Sequence, residues 1–100
     1  MAKMIVMYEE PKDKEGFENH YFSVHIPIAE KLPNIIGSSI HRVVNTRNSD
    51  LNLYLIVELE FENLDVLQEA LGSQAGKELT NDTKNLLPFL EKPPIITFTQ

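Results

Sequence analysis

The sequence predicts an α+β domain whose strands and helices follow the order β-α-β-β-α-β. Four short apolar runs are bounded by charged or turn-forming residues, and two longer stretches carry apolar residues at helical spacing. With right-handed crossovers, this order builds a four-stranded antiparallel sheet with both helices on one face. The first and third strands are the most apolar, so we expect them at the centre of the sheet.

The first part of the chain predicts a strand, a loop and a helix. The strand covers Met4–Tyr8, an apolar run that Glu9–Pro11 brings to an end, and Lys12–Gly16 predicts an exposed, charged loop. The segment Phe17–Leu32 has the period of an amphipathic helix, which Pro33 stops. At about 100° per residue, its apolar stripe comprises Phe17, Tyr21, Val24, Ile28 and Leu32.

The middle of the chain predicts a hairpin. The β-branched residues of Ile35–Val44 indicate a second strand, in which Gly37 is a candidate bulge. Asn45–Asp50 is rich in turn formers and predicts the hairpin loop. The third strand, Leu53–Phe61, begins as an apolar run and ends in strict alternation, so we expect a central beginning and a half-exposed end.

The last part of the chain predicts a helix in two segments and a final strand. Asn63 is a candidate N-cap for a segment through Leu71, and Ser73 is one for a second segment that reaches Leu87. The run Ile95–Thr99 predicts the last strand. No repeat, low-complexity tract or linker interrupts this pattern, which indicates a single domain over residues 1–100.

The composition excludes several classes of function. A net charge of -6 argues against a nucleic-acid partner and against an anionic membrane surface, because both attract clustered cations. The absence of cysteine excludes disulfides and thiolate chemistry and fits a cytoplasmic protein. The apolar N-terminal run is too short for a signal peptide or a membrane span. Since the sequence has no glycine-rich phosphate loop and no nucleophile elbow, we expect no flavin, nicotinamide or other cofactor.

The predicted sheet leaves one face without helices. A large apolar surface in water usually marks an interface, so we expect a homodimer in which two copies pack sheet against sheet. A monomer with a polar open face is the alternative. Glu58 and Glu60 favour that alternative, whereas the apolar run Met4–Tyr8 argues against it.

His25 is the strongest candidate for chemistry. It follows Tyr21 by one helical turn, at the border of the apolar stripe, where a side chain can face the gap between helix and sheet. Two residues later, Pro27 removes an amide hydrogen and predicts a kink that sets the direction of His25. An imidazole exchanges protons near neutral pH, and the phenol of Tyr21 can orient a substrate oxygen. The competing interpretation is a structural histidine bonded to a backbone carbonyl.

Four further residues are candidates for substrate binding: His20, His41, Tyr8 and Tyr54. The two tyrosines lie on the predicted central strands, where core packing is the alternative role. His20 precedes His25 by five residues, about 140° around an α-helix, so one atom can hardly meet both rings unless the helix bends. This spacing also disfavours a metal site, for which a separation of four residues is preferred, and we expect none.

Glu78 and Asp82 lie four residues apart on one face of the last helix. Paired carboxylates at this spacing are more often solvated than catalytic. We therefore interpret the pair as solvated rather than catalytic.

One run of residues combines aromatic side chains with two histidines and two prolines: Phe17-x-x-His20-Tyr21-x-x-x-His25-x-Pro27, closing with Leu32-Pro33. It resembles the helix motif of the EthD-like family, which belongs to the dimeric α+β barrel (ferredoxin-like) superfamily. The early strand with its following Glu-Pro, and the segment Ser73-x-x-Gly76 leading to Asp82, are also similar to that family. The resemblance thus covers most of the chain.

The resemblance implies a homodimer in which each protomer holds a small pocket between its sheet and its helices. Relatives in the superfamily include cofactor-independent monooxygenases, lactone isomerases, polyketide cyclases and dehydratases, and the family is loosely labelled oxidoreductase. The family's helix histidine maps to His25, and the aromatic position before it maps to Tyr21. The lactone isomerases use a cysteine that this chain lacks, so their chemistry does not transfer in its usual form.

Two kinds of function follow from this resemblance. The first is a cofactor-independent oxidoreductase or related acid–base enzyme that acts on a small, oxygenated, hydrophobic compound, with an isomerase, cyclase or dehydratase as a variant. The second is a non-catalytic protein that binds such a compound or supports a partner enzyme. Because the same pocket serves both functions, the fold alone does not decide between them.

Overall fold

The computed structural model describes residues 1–100 and confirms the predicted order of strands and helices. Two pairs of short helices take the places of the two predicted helices. The elements are β1 (Ala2–Glu9), α1 (Lys14–His20), a π-helical turn (Tyr21–His25), α2 (Ile26–Ala29), β2 (Gly37–Arg42), β3 (Leu53–Phe61), α3 (Leu64–Gly72), α4 (Gln74–Leu86), a 3₁₀ turn (Leu87–Phe89) and β4 (Ile95–Thr99).

The four strands form one antiparallel sheet in the order β2-β3-β1-β4. The prediction that the first and third strands are central is confirmed. Val6 of β1 lies opposite Val57 of β3, and from this pair outward, alternate residues of both strands are buried beneath the helices. The edge strands β2 and β4 are largely exposed. None of the helices combines the length and the apolar character that crossing a bilayer requires.

The core lies between the sheet and the helices, and aromatic rings fill its centre. Phe17 and Tyr21 stack with their ring centroids 5.1 Å apart, and Tyr8 meets both rings edge-on at 5.2 Å. All three residues are at most 2% exposed. Because the ring faces and edges carry opposite partial charges, these arrangements add to the stabilisation that burial provides. They fix the first helical segments against β1.

The open face of the sheet is mixed in character. Glu58 accepts hydrogen bonds from Lys3 and His41 near its centre, and the half-buried Ile5 and Ile56 lie beside this network. In β2, Gly37 pairs in register with Glu60, so the predicted bulge there was wrong; the irregularity of the sheet falls at Tyr8/Glu9. The strand is also shorter than Ile35–Val44.

The first helix begins earlier than the sequence pattern predicts. The carboxylate of Asp13 accepts the amide of Gly16 and caps α1, so part of the predicted Lys12–Gly16 loop is helical. The predicted stripe was wrong at Val24, which is 40% exposed. Its place in the core is taken by His25 and Ala29, because the π turn interrupts the α-helical period that the prediction assumed.

The predicted caps of the last two helices are confirmed. The side chain of Asn63 accepts the amide of Val66 at the start of α3, and Ser73 accepts the amide of Gly76 at the start of α4. Ser73 also donates its hydroxyl to the carbonyl of Ala70, which ties the end of α3 to the beginning of α4. A Cβ atom on Gly76 would collide with the backbone carbonyls of Ala70 and Leu71.

We expect Gly76→Ala to destabilise the protein by about 1–3 kcal/mol, because backbone atoms must move to admit the added methyl group. Gly72→Ala is the matched control. Its Cβ would meet nothing within 4 Å, and Gly72 does not have a positive φ, so that change is neutral or stabilising. Urea unfolding of both variants measures the difference. Equal stability of the two variants would contradict the close contact between α3 and α4.

Candidate active site

A cavity of about 190 Å³ lies between the helices and the sheet. Its lining is mainly apolar: Met4 and Val6 of β1 and Val57 and Leu59 of β3 form part of the wall on the sheet side. The polar groups are few. They come from the first helical segments, from β1 and from α4, and the charged one is Lys84. A mostly apolar hollow with a few polar groups is typical of a small-molecule site.

Two histidines meet one buried carboxylate beside this cavity. The Nδ1 atom of His25 lies 2.8 Å from Oδ2 of Asp82, and the Nε2 atom of His20 lies 2.8 Å and 3.0 Å from its two oxygens. Asn85 donates its amide to Oδ1 of the same carboxylate at 3.0 Å. Asp82 is 6% exposed, so hydrogen bonds from these three side chains must stabilise its negative charge in place of water.

The π turn explains how both rings reach Asp82. Its hydrogen bonds join residues five apart: the amide of Ile26 donates to the carbonyl of Tyr21. Residues i and i+5 therefore share a face. One atom, Oδ2 of Asp82, meets both rings because the π turn supplies the departure from regular α-helix that the expectation set as its condition. The distortion that Pro27 predicts takes the form of this turn, which ends just before it.

The surroundings of Asp82 and His25 determine which ring nitrogen of His25 carries a proton. Burial of Asp82 opposes its ionisation, but hydrogen bonds from Asn85, His20 and His25 outweigh this effect and hold its pKa below the ordinary value. Burial lowers the pKa of His25, despite the opposing hydrogen bond and charge of Asp82. A neutral imidazole beside an ionised carboxylate donates from Nδ1. The other ring nitrogen, Nε2, then carries a lone pair and makes no hydrogen bond within the protein.

Two tyrosine hydroxyls accompany His25 in the cavity lining. The ring of Tyr21 stacks on that of His25, with centroids 5.2 Å apart and planes at 22°. Burial raises the pKa of Tyr8 to about 12, and it raises the pKa of Tyr21 as well, reinforced by the neighbouring Tyr8. Both phenols therefore stay protonated at neutral pH and are able to donate hydrogen bonds to a bound oxygen.

The structure does not bring all the predicted site residues together. His25, Tyr21 and Tyr8 line the cavity, whereas His20 does not line it and is linked to His25 through Asp82. The other two candidates lie elsewhere and line no part of this cavity. His41 faces the open side of the sheet, bonded to Glu58, and Tyr54 donates its hydroxyl to Glu18 of α1.

Asp82 is the residue whose role the sequence pattern missed. The interpretation of Asp82 and Glu78 as one solvated pair was wrong for Asp82, which is buried, and right for Glu78, which is exposed. Helical spacing places the two on one side of α4, but it does not show which of them meets the first helix. No group of three histidine, aspartate or glutamate side chains is arranged to hold a metal ion; the two imidazoles point at the carboxylate itself.

Comparison with known proteins agrees with this architecture. The family model of the EthD domain matches residues 9–88. The chain belongs to the EthD family. The match includes the helix with both histidines and also α4 with Asp82, so the whole cluster lies within the EthD domain.

Three known proteins are similar to the chain. It is 24% identical over 85 residues to an uncharacterized 11.0 kDa protein from the thcB–thcC intergenic region of Rhodococcus erythropolis, covering 85% of this chain and 82% of that one. An EthD family protein from Bacillus halodurans has a crystal structure with a TM-score of 0.86 and 29% identity, covering 100% of this chain and 97% of that one. A dimeric protein with a ferredoxin-like fold from Bacteroides fragilis has a TM-score of 0.64 at 14% identity, covering 99% and 94%. The ferredoxin-like α+β fold is thus confirmed.

The buried histidine predicts a specific pH dependence of stability. The pKa of His25 in the folded protein lies below the ordinary value of 6.5, so unfolding takes up a proton as the pH falls through that value. This contribution to stability is complete above pH 6.5 and is lost as the pH falls toward the lowered pKa. Asp82 adds a similar loss only below its own ordinary pKa of 3.8.

We expect the wild type to lose more stability between pH 7.5 and 5.5 than His25→Asn. The asparagine amide can replace the Nδ1 donor toward Asp82 but does not titrate. Urea unfolding at the two pH values measures the difference. An identical pH dependence in both proteins would show that His25 is not held neutral in the fold.

Proposed function

We propose that this EthD-family chain is a cofactor-independent acid–base enzyme that acts on a small, oxygenated, hydrophobic compound. The observation that supports it most is the pairing of His25 with Asp82 beside the cavity. The competing interpretation, a histidine bonded to a backbone carbonyl, lacks this carboxylate partner. Here a carboxylate holds Nδ1, and Nε2 remains free as a proton acceptor.

The geometry suits proton abstraction next to a carbonyl. In the proposed step, Nε2 of His25 takes the proton, and the electrons of the broken C–H bond move to the carbonyl oxygen to give an enolate. Asp82 stabilises the imidazolium that forms, without itself taking the proton. The protonated hydroxyls of Tyr8 and Tyr21 donate hydrogen bonds to the enolate oxygen, where charge develops.

Several reactions can complete this first step. Return of the proton to another carbon is an isomerisation, and transfer to a departing hydroxyl group releases water and is a dehydration. Attack of the enolate carbon on a second carbonyl within the substrate is a cyclisation. If the carbanion transfers electrons to dioxygen as the oxidant, the same abstraction begins an oxidation without a cofactor. The small, mainly apolar cavity favours a compact substrate with one or two oxygens at the His25 side.

We also propose that a second copy of the chain covers the open face of the sheet. Half-buried Ile5, Met7 and Ile56 support this proposal, as does the dimeric Bacteroides fragilis protein of similar fold. Sedimentation velocity at micromolar concentration is the test, with Met7→Lys as the comparison. A dimer that Met7→Lys dissociates is expected, and a monomeric wild type would refute the proposal.

The enzymatic proposal predicts that His25→Asn keeps ligand binding and loses turnover. Aryl ketones, lactones and phenols are screened by thermal shift, and hits are tested for chemical conversion and for exchange of α-hydrogens in D₂O by ¹H NMR. Loss of the Nε2 base is expected to reduce the rate by about 10²- to 10⁴-fold. Asp82→Asn is expected to reduce it as well, because an amide can pair with the wrong tautomer of His25.

Glu78→Gln is the matched control for Asp82→Asn, since it makes the same carboxylate-to-amide change at an exposed site on the same helix. Its rate should equal that of the wild type. If His25→Asn converts the hits as fast as the wild type, His25 is not the base. Binding without conversion or exchange of any compound would favour the non-catalytic function.

A further inference from the structure

We propose that His20 is a positioning residue whose protonation weakens His25 as a base through the carboxylate that the two histidines share. This inference rests on the proposed function of His25. His20 itself does not line the cavity, so it acts on the reaction only through Asp82.

The first step of the argument is geometric. Nε2 of His20 contacts both oxygens of Asp82, at 2.8 Å and 3.0 Å, whereas His25 contacts only Oδ2. With Asn85 on Oδ1, three side-chain donors surround the carboxylate and prevent it from rotating. The plane of Asp82, and with it the direction of the His25 ring, therefore depends on the contact with His20.

The second step concerns solvent. The side chain of His20 is 25% exposed, while those of His25 and Asp82 are 8% and 6% exposed. Nδ1 of His20 forms no hydrogen bond within the protein, so it can take a proton from water while Nε2 continues to donate to Asp82. His20 thus connects the buried pair to the pH of the solvent without breaking the cluster.

The third step is electrostatic. When His20 is neutral, the full negative charge of Asp82 favours the imidazolium of His25, which is the state that forms in catalysis. When His20 is charged, it neutralises that carboxylate and repels a second charge on His25, and the pKa of His25 is lowered accordingly. The charge on His20 therefore acts on His25 across the carboxylate that the two rings share.

No other charged group competes for this role. Asp82 from α4 and Tyr21 from its own helix contact His25, and Tyr8 from β1 shares the cavity lining with it; both phenols stay protonated at neutral pH. Lys84 lies in the cavity lining and forms no ion pair with any carboxylate of the chain. His20 is consequently the group near Asp82 that can change its charge without entering the cavity.

The test compares two variants of the chain of residues 1–100. His20→Gln can keep an N–H donor near the position of Nε2 but cannot take up a proton, and His20→Ala removes the donor. The pKa of His25 is measured by ¹⁵N NMR titration without substrate. In His20→Gln we expect the pKa of His25 to be higher than in the wild type, because the glutamine cannot carry the opposing charge.

Activity separates positioning from charge. With a substrate found in the screen, His20→Ala is expected to reduce kcat about tenfold at pH 8, and His20→Gln is expected to restore it. In His20→Gln the acid limb of the kcat/KM profile moves to higher pH, because His25 protonates earlier. Urea unfolding checks that both variants are folded. If His20→Ala is unfolded, the comparison of His25 titration in the wild type and His20→Gln still tests the effect of the His20 charge.

The failure of this inference is distinguishable from the failure of the proposed function. An unchanged pKa of His25 in His20→Gln would overturn the inference, even if turnover depends on His25. Equal rates for His20→Ala and the wild type would overturn the positioning role. If His20→Gln shifts the pKa of His25 but the wild type converts no compound, the coupling is supported and only the enzymatic function is refuted.

Discussion

The carboxylate of Asp82 is the constraint on which the rest of the site depends. A buried charge is tolerated only when hydrogen bonds replace the water that it loses, and here His20, His25 and Asn85 provide them. These contacts join α4 to α1 and to the π turn that follows it. The same contacts define which nitrogen of His25 is protonated. One electrostatic requirement thus influences both the packing of two helices and the protonation of His25 beside the cavity.

The backbone of the first helix is adapted to this requirement. An uninterrupted α-helix would turn His20 and His25 to different sides, and only one of them could reach Asp82. The π turn brings His20 and His25 to one side. Tyr21, which lies between them in the sequence, stacks on His25. π Turns are rare within α-helices and are frequently found at functional sites. Its coincidence with the histidine pair is what an adapted site, rather than simple packing, leads one to expect.

Much of the fold could be predicted because it depends on local signals. The strand Leu53–Phe61 and the caps Asn63 and Ser73 follow from alternation and from short polar side chains, and the structure confirms them. The π turn could not be predicted from periodicity, since that reasoning assumes 3.6 residues per turn. Val24 was misplaced for this reason alone.

The site was only half predictable, because its central contact is long-range. His25 and Tyr21 stand out within one helix, but Asp82 lies 57 residues from His25 and 62 from His20 along the chain. Nothing in the spacing of α4 shows which carboxylate faces the first helix. The same limit applies to His41 on β2. The sheet face that its side chain takes depends on how β2 pairs with β3, and a shift of one residue in that register would turn it to the other face.

The tautomer of His25 tests the central claim most directly. Long-range ¹H–¹⁵N NMR of the wild type at pH 7.5 reports which ring nitrogens carry protons, and it needs no ligand. Burial holds the His25 ring neutral, and the ionised Asp82 places its proton on Nδ1 and leaves a lone pair on Nε2. A ring protonated on Nε2, or on both nitrogens, at this pH would contradict the account.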